Sequence, residues 1–345
     1  MITIDDLPME FDLLARGYVM RGWSFSRYEL ADAINAGKML NPTFEGMTNF
    51  CPWNCDYCYT ERESSAEAHK QRLATELPLE RRLEIIHEAA ALGAKSMNFI
   101  GAGEPTLDQN FWELVECVAH AGMIPIVFSE ASFRLTDRAF VQRLYELDAT
   151  VVIKVNSLWN AEYQNALVAG NQPVRSEYFG RRNQAIALCQ ELGFADEVPT
   201  RLGFDTIITQ GNYTEIPRLH QYARENNIFI VLKNFLHTGR AKELRPDAVN
   251  HEDQTKLWKR LAKIDRDKFG IKHASCFPFG GGTPCCLRST GVHISVTGQV
   301  FRCDGEEVSL GDLRVESLST VWHRIRQQDQ NVAGLCPPRE CTFQK

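Results

Sequence analysis

Apolar and polar positions follow two rhythms along this chain. Residues 26–36 (SRYELADAINA) have helical spacing, with Ser26 placed to cap the start and Gly37 to close the end. Residues 43–46 read as a short strand, and the polar stretch 61–76 as a loop with helical pieces. Pro78 stands where a first-turn proline belongs, and LERRLEIIHEAAALG continues as a helix to Gly93. Residues 95–100 form a strand, and Asp108 is placed to cap a helix ending at Gly122. Strand 124–128 precedes a helix that Thr136 caps and that runs through Leu147. Residues 150–155 are β-branched and apolar, as in a buried strand. Helical patterns near 160–169 and 176–192, a strand at 202–209, a helix at 214–227 and a strand at 228–232 complete the series. About six strands alternating with helices predict parallel βα units, in an open doubly wound sheet or a barrel.

Beyond residue 240 the pattern changes. Residues 252–269 predict an amphipathic connector helix, with the charge run KRLAKIDRDK as its solvated face. Glycine, proline and cysteine then cluster in CFPFGGGTPCC. Alternating residues 292–296 and 299–303 flank Thr297-Gly298, the pattern of a β-hairpin. A helix is expected over 313–326, and the tail reads CPPREC.

Composition narrows the class. With 345 residues, 44% apolar and 24% charged, the chain reads as an ordinary globular protein of about two domains. A net charge of −6 argues against a broad nucleic-acid footprint. Residues 1–14 carry four acidic side chains and no basic start before an apolar run, unlike a signal peptide. No apolar run is long enough to span a bilayer. The expectation is a cytoplasmic protein without nucleic-acid or membrane partners.

In such a setting eleven cysteines read as metal or redox ligands rather than disulfides. Cys117 and Cys189 fall in helical patterns beside apolar residues and read as small buried hydrophobes. Cys51, Cys55 and Cys58 stand at C-x3-C-x2-C spacing, which lets three thiolates converge on one side of a loop. Thiolates favour iron–sulfur clusters, zinc or Cu(I). Structural zinc closes with four protein ligands and a plain [4Fe–4S] cluster with four cysteines. A local motif of three reads as a cluster with one iron left open.

These residues, with the aromatic Tyr57 just before the last cysteine, resemble the radical S-adenosylmethionine (radical SAM) enzymes. The resemblance implies that Cys51, Cys55 and Cys58 hold a [4Fe–4S] cluster whose open iron chelates SAM, and that Tyr57 packs against the adenine. It also selects the architecture: α/β, a partial (β/α)6 TIM-like barrel with a small C-terminal cysteine-rich hairpin-and-helix domain. Gly101-Ala102-Gly103-Glu104, directly after a strand, is similar to the family's glycine–glutamate motif for the amino group of SAM. Ala102 departs from the commoner double glycine. Ser129 with Glu130, and Asn156 with Ser157, match strand ends that touch the ribose and carboxylate of SAM.

Lys154 lies inside the apolar strand VVIKVNS. It should be paired or face a polar cavity, with a SAM carboxylate, a substrate anion or a structural aspartate or glutamate as partner. Lys233, Asn234, His237 and Arg240 cluster after the last strand as candidate substrate contacts.

The C-terminal cysteines resemble the ligand pattern of SPASM and shorter twitch domains. Cys285 or Cys286, then Gly298, then Cys303 four residues further on, match that pattern. Cys336 and Cys341 would complete one auxiliary [4Fe–4S] site, with Cys276 spare. The expected organisation is a lead-in at 1–43, a core at 44–240, a connector at 241–274 and an auxiliary-cluster domain at 275–345. The expected activity is generation of a 5′-deoxyadenosyl radical, with electrons from an external flavodoxin or ferredoxin. The radical would take a hydrogen atom from a small polar metabolite: a sugar, aminoglycoside or nucleoside intermediate in natural-product biosynthesis. Maturation of a ribosomal peptide is the alternative, disfavoured because the lead-in is too short for a peptide-recognition domain. A zinc-binding scaffold is the third reading.

Overall fold

The computed structural model describes the chain except residues 54, 56, 61–65, 169–176, 235–238, 244–247, 275–281, 283, 304–305, 307 and 329–345, and except the side chains of 66–69 and 242–243. Nine strands form one sheet: β1 (Thr43–Phe44), β2 (Ser96–Phe99), β3 (Ile124–Ser129), β4 (Thr150–Lys154), β5 (Leu202–Ile207), β6 (Phe229–Lys233), β7 (His293–Ile294), β8 (Gln299–Phe301) and β9 (Gly311–Asp312). Their order is β6-β5-β4-β3-β2-β1-β7-β8-β9. Neighbours from β6 to β1 pair in parallel, β7 joins β1 in parallel, and β8 and β9 follow antiparallel.

This order decides between the two architectures. A doubly wound sheet reverses its strand order at a switch point. Here β1 to β6 advance in one direction, as in a barrel wall, because each right-handed crossover places its helix on the same face. The sheet does not close: among the described residues β6 and β9 pair on one side only. The fold is an open, partial (β/α)6 barrel.

Both faces of the strands are buried. Val127, Val151, Ile153, Phe204 and Ile230 belong to the main core, while Ile126, Phe128, Val152, Phe229 and Val231 form a second cluster with Met20. The alternation within each strand is the two-residue period of a sheet covered on both sides. Met20, from the lead-in, packs against the inner face, where its sulfur would lie 2.9 Å from a Cβ placed on Gly203.

The helices are α1 (Arg27–Ala36), α2 (Ala66–Leu73), α3 (Leu79–Ala91), α4 (Phe111–His120), α5 (Arg138–Glu146), α6 (Ala161–Leu167), α7 (Tyr178–Glu191), α8 (Ile216–Glu225), α9 (His251–Ile264), α10 (Leu287–Thr290) and α11 (Leu318–Gln328). Ser26 caps α1 in a reciprocal box with Glu29, and Gly37 ends it with a φ of 68°. Three start signals differ from expectation. Pro78 is the N-cap of α3 rather than a first-turn residue. Asn110, not Asp108, begins α4, because Asp108 is drawn into an ion pair with Arg82 at 2.8 Å. Asp137, not Thr136, caps α5; the Thr136 hydroxyl donates to the Phe133 carbonyl. The last helix starts at Leu318, later than expected, since Gly311–Asp312 form β9 and a turn follows.

Two further expectations meet the tertiary structure. Asp265, in the charge run at the end of α9, is buried rather than solvated. It accepts from Arg224 at 3.0 Å, and His220 Nε2 and His273 Nε2 lie 2.7 and 2.8 Å from it. Arg224 also donates to the Gly17 carbonyl, so this network ties the lead-in to α8. β7 to β9 and the last helix, which fall in the expected auxiliary domain, extend the same sheet and core. Leu313, Leu318, Val321, Trp322 and Ile325 share the main core with Ile85 and Ile86 of α3. Cys189 is buried in that core and Cys117 sits half-buried at its edge. No helix among the described residues is long and apolar enough to cross a membrane.

Candidate active site

A cavity of about 370 Å³ opens at the C-terminal ends of the parallel strands, where barrels and open parallel sheets place their ligands. The loop after β1 contributes Cys51, Cys55, Tyr57, Cys58 and Tyr59, and the turn after β2 contributes Gly101, Gly103 and Glu104. Ser129 and Glu130 come from β3, Lys154 from β4, Asp205 from β5, and Lys233 and Asn234 from β6. The β7–β8 hairpin adds His293, Ser295, Phe301 and Cys303.

The cysteine loop is anchored by Trp53. Its ring is buried edge-on to Tyr178 at 5.2 Å, and its Nε1 donates to Glu130 at 2.8 Å. The Cys58 amide donates to the Cys55 carbonyl at 3.1 Å, and Cys58 Sγ lies 3.0 Å from the Thr60 hydroxyl. All three thiols are half-buried on the cavity wall. Burial and then the neighbouring thiols push Cys51 well above the usual range and Cys55 up to about 12. A bound cationic metal centre reverses that balance, since positive charge favours the thiolates. Among the described residues, no three His, Cys, Asp or Glu side chains stand close enough to share a single ion. A cluster is wider than one ion, and three thiols spread around one cavity wall are a donor set that fits it.

The glycine turn packs backbone against backbone on the segment leading into that loop. Gly103 N–H donates to the Thr48 carbonyl at 2.9 Å, and Glu104 N–H to the Phe50 carbonyl at 2.7 Å. A Cβ on Gly103 would stand 2.2 Å from the Phe50 carbonyl oxygen. Neither side is a flexible side-chain end, so a methyl group forces the turn away from the cysteine loop. Gly103→Ala is therefore expected to weaken SAM binding to the reconstituted protein by about tenfold or more, roughly 1.4 kcal/mol. Equilibrium binding measures this, and an unchanged dissociation constant would show that the turn can shift freely.

Glu104 is fully engaged within the protein. Its carboxylate accepts from the Thr106 hydroxyl at 2.6 Å, the Thr106 amide at 3.2 Å, the Ser129 hydroxyl at 2.7 Å and the Glu130 amide at 3.0 Å. It thus caps the short turn Pro105–Leu107. Burial pushes both Glu104 and Glu130 upward, and Glu130 also feels the charge of Glu104. Asn156 and Ser157 do not line the cavity. Asn156 Oδ1 accepts from the Ile207 amide at 3.1 Å, and the Ser157 hydroxyl donates to Glu215 at 2.6 Å. Asn156 also acts through a side-chain hydrogen bond on Tyr57 of the cysteine loop.

Lys154 meets a partner that sequence reasoning missed. Its Nζ donates to Asp205 at 2.9 Å, and Lys233 Nζ lies 2.9 Å from the other Asp205 oxygen. The signal was present: Asp205 interrupts the apolar strand LGFDTI as Lys154 interrupts its own, and register sets the two opposite each other. Lys154 Nζ also lies 5.0 Å from the Tyr57 ring centroid. Arg240 is half-buried near the cysteine loop, its amide donating to the Thr60 carbonyl at 3.3 Å. His237 lies outside the described residues.

Three other cavity residues were not anticipated. Tyr59 donates to the Gly101 carbonyl at 2.7 Å and contacts Glu45, and His293 Nε2 lies 3.4 Å from Glu45. Two cysteines of the tail also face this region. Cys285 and Cys303 pack against the inner cluster of Met20 and Phe128, whereas Cys286 packs against the lead-in cluster of Leu30 and Leu40. Cys276, Cys336 and Cys341 lie outside the described residues.

A family model described as the radical SAM superfamily matches residues 46–228, more than half of the chain. The chain belongs to the radical SAM superfamily and is an enzyme; that family implies a [4Fe–4S] cluster and SAM. Solved structures similar in fold include these two. Native anSMEcpe with bound AdoMet and Cp18Cys peptide has a TM-score of 0.60 at 15% identity, over 89% of this chain and 90% of that one. Streptococcus suis SuiB bound to precursor peptide SuiA has a TM-score of 0.60 at 14% identity, over 89% of this chain and 71% of that one. No curated protein matches the sequence.

Proposed function

We propose that Cys51, Cys55 and Cys58 hold a [4Fe–4S] cluster with one iron open to SAM, and that the enzyme removes a hydrogen atom from a small polar metabolite. Sugars, aminoglycosides and nucleoside intermediates of natural-product biosynthesis are the substrate classes in view. One observation carries this reading: the three thiols, the glycine turn and the polar ends of β3 to β6 open onto a single cavity of about 370 Å³. That volume lies near the lower end of the range for small-molecule sites. When bound, the cluster supplies the electron that splits SAM into methionine and a 5′-deoxyadenosyl radical. The chain's own residues orient and shield. Trp53 and Glu130 fix the cysteine loop, Gly101 and Gly103 allow close approach of backbone donors, and Tyr57 offers a ring face beside the loop. Glu130, pushed upward by burial and by Glu104 and with its Oε1 accepting no hydrogen bond, suits a neighbouring cationic amine, which would stabilise its ionised form.

The tail, residues 275–345, is assigned to one auxiliary [4Fe–4S] site. Cys285 rather than Cys286 is the better first ligand, because it packs on the same inner cluster as Cys303; Cys336 and Cys341 complete the set. An external flavodoxin or ferredoxin supplies electrons in a reducing, cytoplasmic setting. A second reading, peptide modification, is favoured by the two similar folds, both solved with peptides. The test is anaerobic reconstitution, then SAM and dithionite. Release of 5′-deoxyadenosine and methionine is expected, and a cluster-loaded protein that leaves SAM intact would end the radical reading.

A further inference from the structure

The ends of β4, β5 and β6 place two cations around one anion on the cavity wall. Asp205 lies 2.9 Å from both Lys154 Nζ and Lys233 Nζ, and the three side chains are only 13%, 12% and 19% exposed in the order Lys154, Asp205, Lys233. Together they carry one net positive charge. A buried charge without a counter-charge is costly. Among the described residues the other carboxylates of the cavity have contacts of their own, although Glu130 Oε1 accepts no hydrogen bond. Glu104 serves Thr106, Ser129 and the Glu130 amide. Glu130 accepts from Trp53 and Ser132. Glu45 contacts Tyr59 and His293. Glu306, which lines the cavity from the hairpin, acts on Arg302.

Each ammonium has three N–H donors; Lys154 donates one to Asp205, and Lys233 pairs with the other Asp205 oxygen by charge at 2.9 Å. The remaining donors of both lysines are available to an oxyanion. Lys154 stands beside the cysteine loop, 5.0 Å from the Tyr57 ring, and shares one cavity with the three thiols, so the experiment has to separate a substrate anion from the carboxylate of SAM. The cysteines and the glycine turn follow β1 and β2, whereas Lys233 ends β6, four strands away from β2.

We propose that Lys154 and Lys233 hold an anionic group of the substrate, a carboxylate or a phosphate, with Asp205 setting the two ammoniums in place. This rests on the radical SAM reading of the cavity and narrows its small polar substrate to an anionic one. The two oxygens of such a group match two ammoniums held by one carboxylate.

Reconstituted holoenzyme with SAM bound is titrated calorimetrically with inorganic phosphate and with succinate as probe anions. At least one is expected to bind with a dissociation constant on the order of millimolar. Lys233→Gln should weaken it about tenfold or more, the loss of one charged hydrogen bond, and Lys233→Arg should retain most of it. Asp205 stays paired with Lys154 in both variants, and circular dichroism checks the fold. The SAM dissociation constant of Lys233→Gln should stay within about twofold of the parent's. Failure of both anions to bind overturns the proposal. So does a Lys233→Gln variant that loses SAM affinity instead, since the pair would then belong to the cofactor's own carboxylate. Release of 5′-deoxyadenosine from the same preparation reports separately. A preparation that cleaves SAM but binds neither anion defeats only the substrate inference. One that binds an anion without cleaving SAM defeats only the radical reading.

Discussion

Replacing Cys51, Cys55 and Cys58 together by alanine lowers iron and sulfide by about four per chain after anaerobic reconstitution and abolishes 5′-deoxyadenosine release. The three thiols supply every protein ligand of the proposed SAM cluster, and among the described residues the only other soft donor lining the cavity is Cys303 on the hairpin. The fold should survive. The thiols are half-buried on a cavity wall, and Trp53, which anchors the loop in the core, is retained. The measurement also reads the tail. A parent with about eight irons and a variant with about four give two cluster sites, one of them in residues 275–345. A parent with about four and a variant with none leave the tail without iron and remove the argument for an auxiliary cluster. A variant that keeps all of its iron would overturn the cysteine assignment itself.

Arg82→Met is expected to destabilise the protein by about 3–5 kcal/mol, the cost of leaving a buried charge without its partner. Arg82 Nη1 donates to the Gly46 carbonyl at 3.1 Å, the Met47 carbonyl at 2.9 Å and Asp108 at 2.8 Å, and Nη2 to Asn110 at 3.0 Å. Both side chains of the ion pair are almost completely buried, at 5% and 2% exposure. Burial already pushes the Asp108 carboxyl above its usual value although Arg82 pulls it down. Without Arg82 only the burial term and its neighbours remain. Urea denaturation measures the loss, and adding Asp108→Leu should recover most of it, since a buried ion pair is often replaceable by apolar groups. A single-variant loss under about 1 kcal/mol would mean that Asp108 finds another donor. Residues 46 and 47 lead into the cysteine loop, so the single variant should also load its cluster less completely.

Some of this molecule is written in short stretches. The run VVIKV is a strand on any local reading, and β4 occupies Thr150–Lys154. Ser26, Glu29 and Gly37 specify both ends of α1 within twelve residues. Other local signals were overruled from a distance. Asp108 has the right chemistry to cap a helix, but an arginine 26 residues away claims it. Ser157 ends a strand as a ligand-binding residue would, yet its hydroxyl is taken by Glu215, 58 residues on. The charge run at the end of α9 looks solvated, but Asp265, just past that helix, is enclosed by Arg224 and two histidines.

The sequence alone determined the alternation of strands and helices, the cysteine triad and the glycine turn after β2. Each of these rests on spacing within a few residues, where backbone geometry is set by neighbours in the chain. The resemblance carried by the cysteine motif already implied a partial barrel, but spacing alone left barrel and doubly wound sheet open, and the strand order came only with the tertiary structure. It alone brought Asp205 between Lys154 and Lys233, and Glu45 beside Tyr59 and His293. Those meetings depend on strand order and register between segments tens to hundreds of residues apart, where a shift of one residue turns a side chain to the opposite face of the sheet.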